Sequence, residues 1–80
     1  MELVELTEYL VKNLLPSDAE IKINKEEASN ETIIQVLVKE EYMSTIIGKG
    51  GNIANSIRTI VQAMAYTKKL GRVRINIDSL

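Results

Sequence analysis

Three glycines and a lysine lie together in the segment Gly48-Lys49-Gly50-Gly51. Glycines take positive φ at little steric cost, and without a Cβ they leave the backbone open to close approach by a ligand. A helix predicted to begin near Gly51 would direct unpaired N–H groups and the positive end of its dipole at the same point. Because Lys49 adds a mobile cation, the residue types and their spacing predict a site for an anionic group such as a phosphate.

Other glycine motifs fit this segment less well. A Walker loop requires Ser or Thr where this chain has Gly50, and a dinucleotide fingerprint requires Gly or Ala at the position of Ile53. The helix-hairpin-helix of DNA-binding proteins is closer, since its pattern is approximated by Ile46, Gly48, Gly50 and Ala54. That motif normally has an apolar residue between its glycines and lies among helices, whereas here a lysine stands there and strands are predicted on both sides. A helix corner that needs glycine only for its geometry is the third interpretation.

The rest of the composition offers little for catalysis. Cys and His are absent, which excludes disulfides and thiolate metal sites. Ser44 and Ser56 have no recognisable base, and the pairs Glu26-Glu27 and Glu40-Glu41 fall at loop or strand ends, where solvated charges are expected. We therefore predict a binding protein, not an enzyme, with no cofactor and no metal.

Charge is distributed unevenly although the net charge is only -1. Residues 1–41 hold ten acidic against four basic residues, a balance of -6, and residues 42–80 hold one acidic against six basic residues, a balance of +5. The basic half contains the glycine loop, which favours a positive patch facing a polyanion. Chance segregation in a short chain is the alternative.

The length is that of one small domain, and we assign residues 1–80 to a single domain. No apolar run approaches the roughly 20 residues of a membrane-spanning helix. The acidic N-terminus is unlike the basic start of a signal peptide. We therefore expect a cytoplasmic protein that does not interact with a membrane.

Hydrophobic periodicity predicts six elements. They are a helix at 2–15, strands at 19–24 and 32–38, helices at 42–47 and 51–67, and a strand at 72–78. The stripes predicted to be buried are Leu3, Leu6, Leu10 and Leu14 with Tyr9 beside them, and Ile53, Ile57, Ile60, Val61 and Met64. Pro16 should end the first helix at Leu15, a polar connection at 25–30 should join the first two strands, and Gly71 should cap the long helix.

The strand at 32–38 is apolar on both faces, and strands of this kind are usually central. Ile34, Val36 and Val38 share one face, and Ile33 and Leu37 share the other. The first two strands should form an antiparallel hairpin, and the long crossover to the last strand predicts parallel pairing. The predicted fold is α+β, with the order α-β-β-α-α-β and three helices packed on one face of a three-stranded mixed sheet. Ile33 and Leu37 then lie on the open face of the sheet. Either an interface or neighbouring side chains must shield them from water.

Together these features resemble a KH domain, whose loop reads Ile-Ile-Gly-x-x-Gly between two helices. The match here is Ile46 to Gly51, and the element order is that of the type II KH fold. Over its whole length the chain is similar to the small bacterial single-KH RNA-binding family known as KhpA. The further matching segments are Ile57-Arg58-Thr59 and the closing strand Arg72 to Asp78. The chain departs from relatives at Gly50, where a larger polar residue is frequent, and at Asn52, where a basic residue is frequent.

The resemblance implies that the loop clamps the backbone of about four nucleotides of single-stranded RNA. The implied RNA-binding residues are Ile47, Gly48, Lys49, Gly50, Gly51, Asn52, Ile53, Ile57 and Arg58, with Val36 and Val38 as further candidates for the groove floor. It also implies a homodimer or a heterodimer with a larger KH-containing RNA-binding protein, acting as an RNA chaperone or post-transcriptional regulator. A helix-hairpin-helix DNA-binding module and a protein-interaction domain with a degenerate loop are the alternatives.

Overall fold

The computed structural model of the protein describes residues 2–80, so Met1, the first residue of the predicted domain, lies outside the described residues. The helices are α1 (Leu3–Lys12), α2 (Met43–Ile47) and α3 (Asn52–Thr67), and the strands are β1 (Ile21–Glu27), β2 (Glu31–Val38) and β3 (Arg72–Ser79). Short 3₁₀ turns at Glu40–Tyr42 and Lys49–Gly51 precede α2 and α3. The predicted order of elements is confirmed.

The three strands form one sheet with β2 in the middle. β1 pairs with β2 antiparallel, with Ile21 opposite Val38, and β3 pairs with β2 parallel, with Ile75 beside Ile34. This is the mixed sheet that the hairpin and the long helical crossover predicted. Because this pair is parallel, the carboxyl ends of β2 and β3 lie side by side, with Val38 beside Ser79.

The core lies between the helices and one face of the sheet. Ile34, Val36 and Val38 of β2 have no exposed surface, which confirms the inward face assigned from the alternation. The buried cluster consists of Leu3, Leu6, Val11, Leu15, Ile34, Val36, Val38, Ile46, Ile57, Val61, Ala65 and Ile75. Its members come from all three helices and from β2 and β3, so the two-layer α+β packing is confirmed.

Ile33 and Leu37 are the apolar residues on the open face of the sheet. Ile33 lies between Glu26 of β1 and Arg74 of β3 in the strand register. Leu37 is flanked in the same way by Lys22 and Asp78, and both apolar side chains are only partly exposed. The stems of long charged side chains cover apolar surface while their heads stay in water. Shielding by neighbours is therefore sufficient to account for these two residues.

Helix α1 ends earlier than Pro16 alone would require. Its N-terminus is held by a capping box between Glu2 and Glu5, but Asn13 ends it at Lys12. The Asn13 side chain donates to the Tyr9 carbonyl at 2.7 Å and competes with the helical bonds. The last three predicted helical residues therefore form a turn. Leu14, which was predicted to be buried, is exposed, and Leu10 is only partly buried, whereas Val11 and Leu15 are buried.

The hairpin is tighter than predicted. β1 continues through Glu27, so the predicted polar connection at 25–30 is wrong for its first three residues. Polar residues suit this stretch because β1 is an edge strand with one solvated face, and Lys25 pairs with Glu27 at 3.3 Å. The turn itself is closed by the Ala28 N–H donating to the Glu31 carbonyl at 2.8 Å.

Helix α3 buries a narrower stripe than predicted. Ala54, Ile57, Val61 and Ala65 are buried, whereas Ile60 is 45% exposed and its assignment to the core is wrong. The buried residues follow the spacing of Ala54, Ile57, Val61 and Ala65, and Ile60 lies outside this stripe. No helix in the described part of the chain combines the length and the apolar character needed to cross a membrane.

The C-terminus of α3 is capped by Lys69 and not by Gly71, so that prediction is wrong. Lys69 has φ 58, the left-handed conformation. Its N–H donates to the Tyr66 carbonyl at 3.0 Å, and the Leu70 N–H donates to the Ala65 carbonyl at 2.9 Å. These two bonds define a Schellman motif. Gly71 has a different role, because a Cβ there would lie 3.0 Å from the Asn30 carbonyl oxygen of the hairpin turn.

We expect Lys69→Gly to stabilise the protein. A left-handed conformation costs an L-residue about 1–2 kcal/mol and costs glycine little, although glycine also gains entropy in the unfolded chain. The net gain in the free energy of unfolding should be about 1 kcal/mol, measured by urea denaturation. Lys68→Gly is the matched control, because it removes the same charge at φ -86 and should give no gain. Equal effects of the two variants would contradict this assignment of the cap.

Candidate nucleic-acid interface

The loop begins at Gly48, immediately after the last residue of α2. Gly48 has φ 77 and ψ 175, a region of backbone conformation that is essentially restricted to glycine. A Cβ there would lie 2.6 Å from Ile53 Cγ1 and 2.9 Å from the Ile53 backbone nitrogen. The Gly48 N–H donates to the Ser44 carbonyl at 2.9 Å. The first glycine is therefore required by the packing of α2 against α3.

The next two glycines lie in a different environment. Gly50 has φ 64 and ψ 18, and Gly51 has φ 80 and ψ 9, both left-handed. The Gly51 N–H closes the turn by donating to the Gly48 carbonyl at 3.2 Å. No atom lies within 4 Å of the position that a Cβ on Gly50 would take. Here the missing side chain leaves open space beside the loop backbone.

The loop carries one exposed cation. Lys49 is exposed and belongs to none of the three ion pairs found within residues 2–80. Helix α3 begins just after the loop, and no side chain caps its N-terminus. The first turn of a helix has N–H groups without intrahelical partners and the positive end of the helix dipole. The loop thus combines a mobile cation, open backbone and a helix terminus at one point.

The other predicted site residues divide into two groups. Ile47 and Asn52 are exposed beside the loop, and Ile53 is partly exposed. Ile57 is only 3% exposed and belongs to the core, as do Val36 and Val38. Protein atoms therefore cover nearly all of the surface of these three side chains, and Val36 and Val38 leave none for a ligand to contact. Their place on the floor of a binding groove stays a prediction.

Arg58 extends along α3 towards the sheet. Its Nε donates to the Ile75 carbonyl of β3 at 3.2 Å, and its terminal nitrogen donates to Asn55 Oδ1 at 3.1 Å. The Asn55 amide nitrogen is in turn 3.9 Å from the position of a Cβ on Gly51. The sequence analysis assigned no role to Asn55, although its spacing of three residues from Arg58 places the two on one helix face.

A cleft of about 550 Å³ lies between α3 and β3, and we call it the arginine cleft. Its lining residues are Arg58, Thr59, Gln62, Ala63, Tyr66, Arg72, Val73, Arg74 and Ile75, with no carboxylate among them. Gln62 closes one side, because its side-chain oxygen accepts from the Val73 N–H at 3.0 Å. The sequence did not predict this cleft, because its lining residues come from two elements that are separated along the chain.

A second groove, between α1 and α3, is almost entirely apolar. It is lined by Leu10, Asn13, Leu14, Ile53, Ser56, Ile57 and Ile60. Leu14 is 37% exposed and Ile60 is 45% exposed, so two large aliphatic side chains border it in water. These are the residues whose burial was predicted wrongly from the helical periodicity. Within residues 2–80 there is no cluster of three or more side chains suited to holding a metal ion.

Comparison with solved structures matches this fold to Era. The chain superimposes on Aquifex aeolicus Era bound to GDP.AlF4- with a TM-score of 0.66, and on Era in complex with MgGDPNP and nucleotides 1506–1542 of 16S ribosomal RNA with a TM-score of 0.67. Each superposition covers 98% of this chain and 30% of the Era chain. The sequence identity is 16% in both cases. Identity this low shows a shared fold only.

Sequence comparison identifies nearer relatives. The RNA-binding protein KhpA of Borreliella burgdorferi is 38% identical over 74 residues, which cover 92% of this chain and 89% of that protein. The protein of the same name from Oceanobacillus iheyensis is 37% identical over 73 residues, 91% of this chain and 93% of that protein. The family model described as KhpA/KhpB, KH domain, matches residues 4–77. The chain therefore belongs to the KhpA/KhpB family of KH domains.

Proposed function

We propose that the protein binds single-stranded RNA and that the loop Gly48-Lys49-Gly50-Gly51 clamps the backbone of about four nucleotides. The observation that carries the proposal is the open backbone at Gly50 beside the exposed Lys49, directly at the uncapped start of α3. Relatives that align over most of the chain are named RNA-binding proteins. Their similarity supports RNA as the polyanion that the loop accepts.

The loop can hold a phosphate without moving its own backbone. The ligand approaches at Gly50, where no Cβ would obstruct it. The positive end of the α3 dipole and the Lys49 ammonium then share the negative charge. Ile47 and Ile53 offer aliphatic surface beside the loop for the adjoining bases. Asn52, also exposed there, supplies an amide that can both donate and accept hydrogen bonds.

Binding through this loop alone should be weak and sensitive to salt. Affinity for single strands depends on the number of phosphates that Lys and Arg contact, and the loop provides one lysine. The net charge of -1 adds no general attraction to polyanions. A second binding unit would raise the apparent affinity by multivalency, which makes association with another KH domain part of the proposed function.

We propose the apolar groove between α1 and α3 as the surface for that association, in a homodimer. Leu14 and Ile60 are exposed there, whereas the apolar residues of the open sheet face are shielded by charged neighbours. A larger KH-containing protein would use the same surface in a heterodimer. The relatives are bacterial RNA-binding proteins, and we accordingly assign the protein to the bacterial cytoplasm as an RNA chaperone or post-transcriptional regulator.

The first test replaces the loop charge. We expect Lys49→Asp, Gly50→Asp to weaken binding of short single-stranded RNA at least tenfold, about 1.4 kcal/mol, because two carboxylates would face the phosphate. Fluorescence anisotropy with labelled RNA and with DNA of the same sequence gives the affinities. RNA preferred over DNA agrees with a KH site, and the reverse preference would favour a helix-hairpin-helix module.

Two controls make this test specific. Lys49→Asn, Gly50→Asn places side chains of the same size at the same backbone angles, and Asn tolerates the left-handed conformation. Lys22→Asp, Asn24→Asp changes the net charge by the same amount on exposed positions of β1. Equal weakening by the loop variant and the β1 variant would mean that only net charge matters, and the loop would no longer be the site.

The second test concerns dimerisation. Ile60→Asp places a carboxylate in the apolar groove at an exposed position, so it should leave the fold intact and shift a dimer to monomer. Analytical ultracentrifugation over a concentration series measures the dissociation constant, which we expect to rise at least tenfold. Gln35→Asp, on the open sheet face, is the matched control. If Gln35→Asp alone dissociates the dimer, the interface lies on the sheet and our assignment is wrong.

A further inference from the structure

The open face of the sheet, on the side away from the helices, carries an ordered pattern of side chains. The strand register arranges it in three rows across the strands: Glu26-Ile33-Arg74, Asn24-Gln35-Asn76 and Lys22-Leu37-Asp78. The polar members are exposed and the two apolar ones are partly exposed. Charges thus occupy the four corners of the face, amides fill its middle row, and one aliphatic side chain stands at the centre of each outer row.

The sign of the corner charges alternates around the face. On β1 the negative Glu26 and the positive Lys22 lie at opposite ends. On β3 the order is reversed, with the positive Arg74 in the row of Glu26 and the negative Asp78 in the row of Lys22. Only Arg74 belongs to an ion pair found within residues 2–80, a long contact of 3.9 Å with Glu31. Shielding of the apolar residues does not require this order of signs, because the stem of any long charged side chain would cover them.

We propose that the open sheet face binds the same face of a second copy of this chain, related to the first by a two-fold axis that crosses the strands at Gln35. Such a contact is isologous, so each pair of residues occurs twice. Each outer row of one copy then faces the other outer row of the second copy. The proposal goes beyond the proposed function, since it does not require the loop to bind RNA.

This arrangement brings opposite charges together at every corner. Lys22 faces Glu26 of the second copy along β1, and Arg74 faces Asp78 of the second copy along β3. At the centre of the face, Ile33 packs on Leu37 of the second copy. Sheets packed face to face lie about 10 Å apart, a gap that two charged side chains can bridge from opposite sides. The middle row of amides meets its own counterpart at the axis.

Charges beyond the three rows select this axis over the alternative. A two-fold axis along β2 would also pair opposite charges at the corners, but it would place Glu31 against Glu31 of the second copy. With the axis across the strands, Glu31 lies against Lys39 of the second copy, because the two residues are equally far from Gln35. Lys39 follows β2 in an extended conformation and is exposed. The crossing axis therefore leaves no like charges opposed on β2.

The size of the face predicts a weak contact. From Glu31 to Lys39 it is about 26 Å long, and its three strands make it about 14 Å wide. This is smaller than the roughly 800 Å² per partner of a stable interface, and charges at the rim are screened by salt. The apolar groove lies in the helix layer, between α1 and α3, and stays free when two sheets meet. The two contacts therefore do not compete, and together they join dimers into larger assemblies.

The test exchanges the corner charges and measures self-association by analytical ultracentrifugation at low salt without RNA. It uses the full chain and also Ile60→Asp, in which the groove contact is removed. We expect Lys22→Glu and Glu26→Lys each to weaken the contact about fivefold or more, because each converts two attractive pairs into repulsive ones. The double variant Lys22→Glu, Glu26→Lys should restore it. Arg74→Asp and Asp78→Arg should behave in the same way, singly and together.

Substitution of Gln35 tests the axis itself. Gln35→Asp and Gln35→Lys each bring two like charges together there, so both signs should weaken the contact. A partner of different chemistry would respond to the two signs in opposite directions. Lys68→Glu is the matched control, because it makes the same change of charge at an exposed position at the end of α3 and should have no effect.

Three results would overturn the proposal. The first is Ile60→Asp protein that stays monomeric at low salt, or a double variant of β1 that does not restore the contact. The second is rescue on β1 without any effect of Arg74 or Asp78, which would assign the contact to the free edge of β1. The third is opposite effects of the two Gln35 variants. The RNA affinity of the loop is measured separately, so each of these results leaves the proposed function standing.

Discussion

Burial of one face of β2 beneath the helices is the constraint on which the rest of this small structure depends. Ile34, Val36 and Val38 have no exposed surface, and the chain has no Phe or Trp to supply bulk elsewhere. The core is therefore built from many aliphatic contacts around one strand. The same strand pairs with both neighbours and leads directly into α2. Its burial fixes where α2 ends and hence where the glycine loop stands.

The loop divides two requirements among its glycines. Gly48 meets the demand of the fold, because its backbone lies against Ile53 too closely for any Cβ. Gly50 is not required by the packing, because the space around it is empty. One glycine positions the start of α3, and the other leaves the backbone there accessible. If the loop binds an anion as proposed, its backbone is already in place, so little ordering entropy would oppose binding.

The fold could be predicted from the sequence because alternation and helical periodicity were strong in every element. The hairpin, the parallel crossover and the central position of β2 all followed from that pattern. The wrong predictions of helix ends and buried residues arose where a local hydrogen bond or close packing overrode the hydrophobic pattern. Asn13 ends α1 before Pro16 can, and Lys69 adopts the left-handed conformation normally left to glycine. The buried stripe of α3 includes two alanines and leaves Ile60 outside it. None of these follows from hydrophobicity.

The candidate site was predictable only in part, for a related reason. The loop is contiguous in sequence, so its residue types and spacing identify it directly. The arginine cleft joins two elements that are separated along the chain, and it exists only once α3 lies over β3. Ile57 was predicted both as a buried residue of the α3 stripe and as an RNA-binding residue. It is 3% exposed, as its place in the core requires.

The hydrogen bonds from α3 to β3 have a consequence for how copies of this protein can meet. β3 is an edge strand, and an open edge is a template for adding strands from other chains. Here Gln62 accepts from the Val73 N–H, Arg58 donates to the Ile75 carbonyl, and Asp78 accepts from the Ser79 N–H. Side chains thus occupy backbone groups that an incoming strand would need. A strand added along this edge would have to displace these three side chains, which disfavours extension of the sheet there.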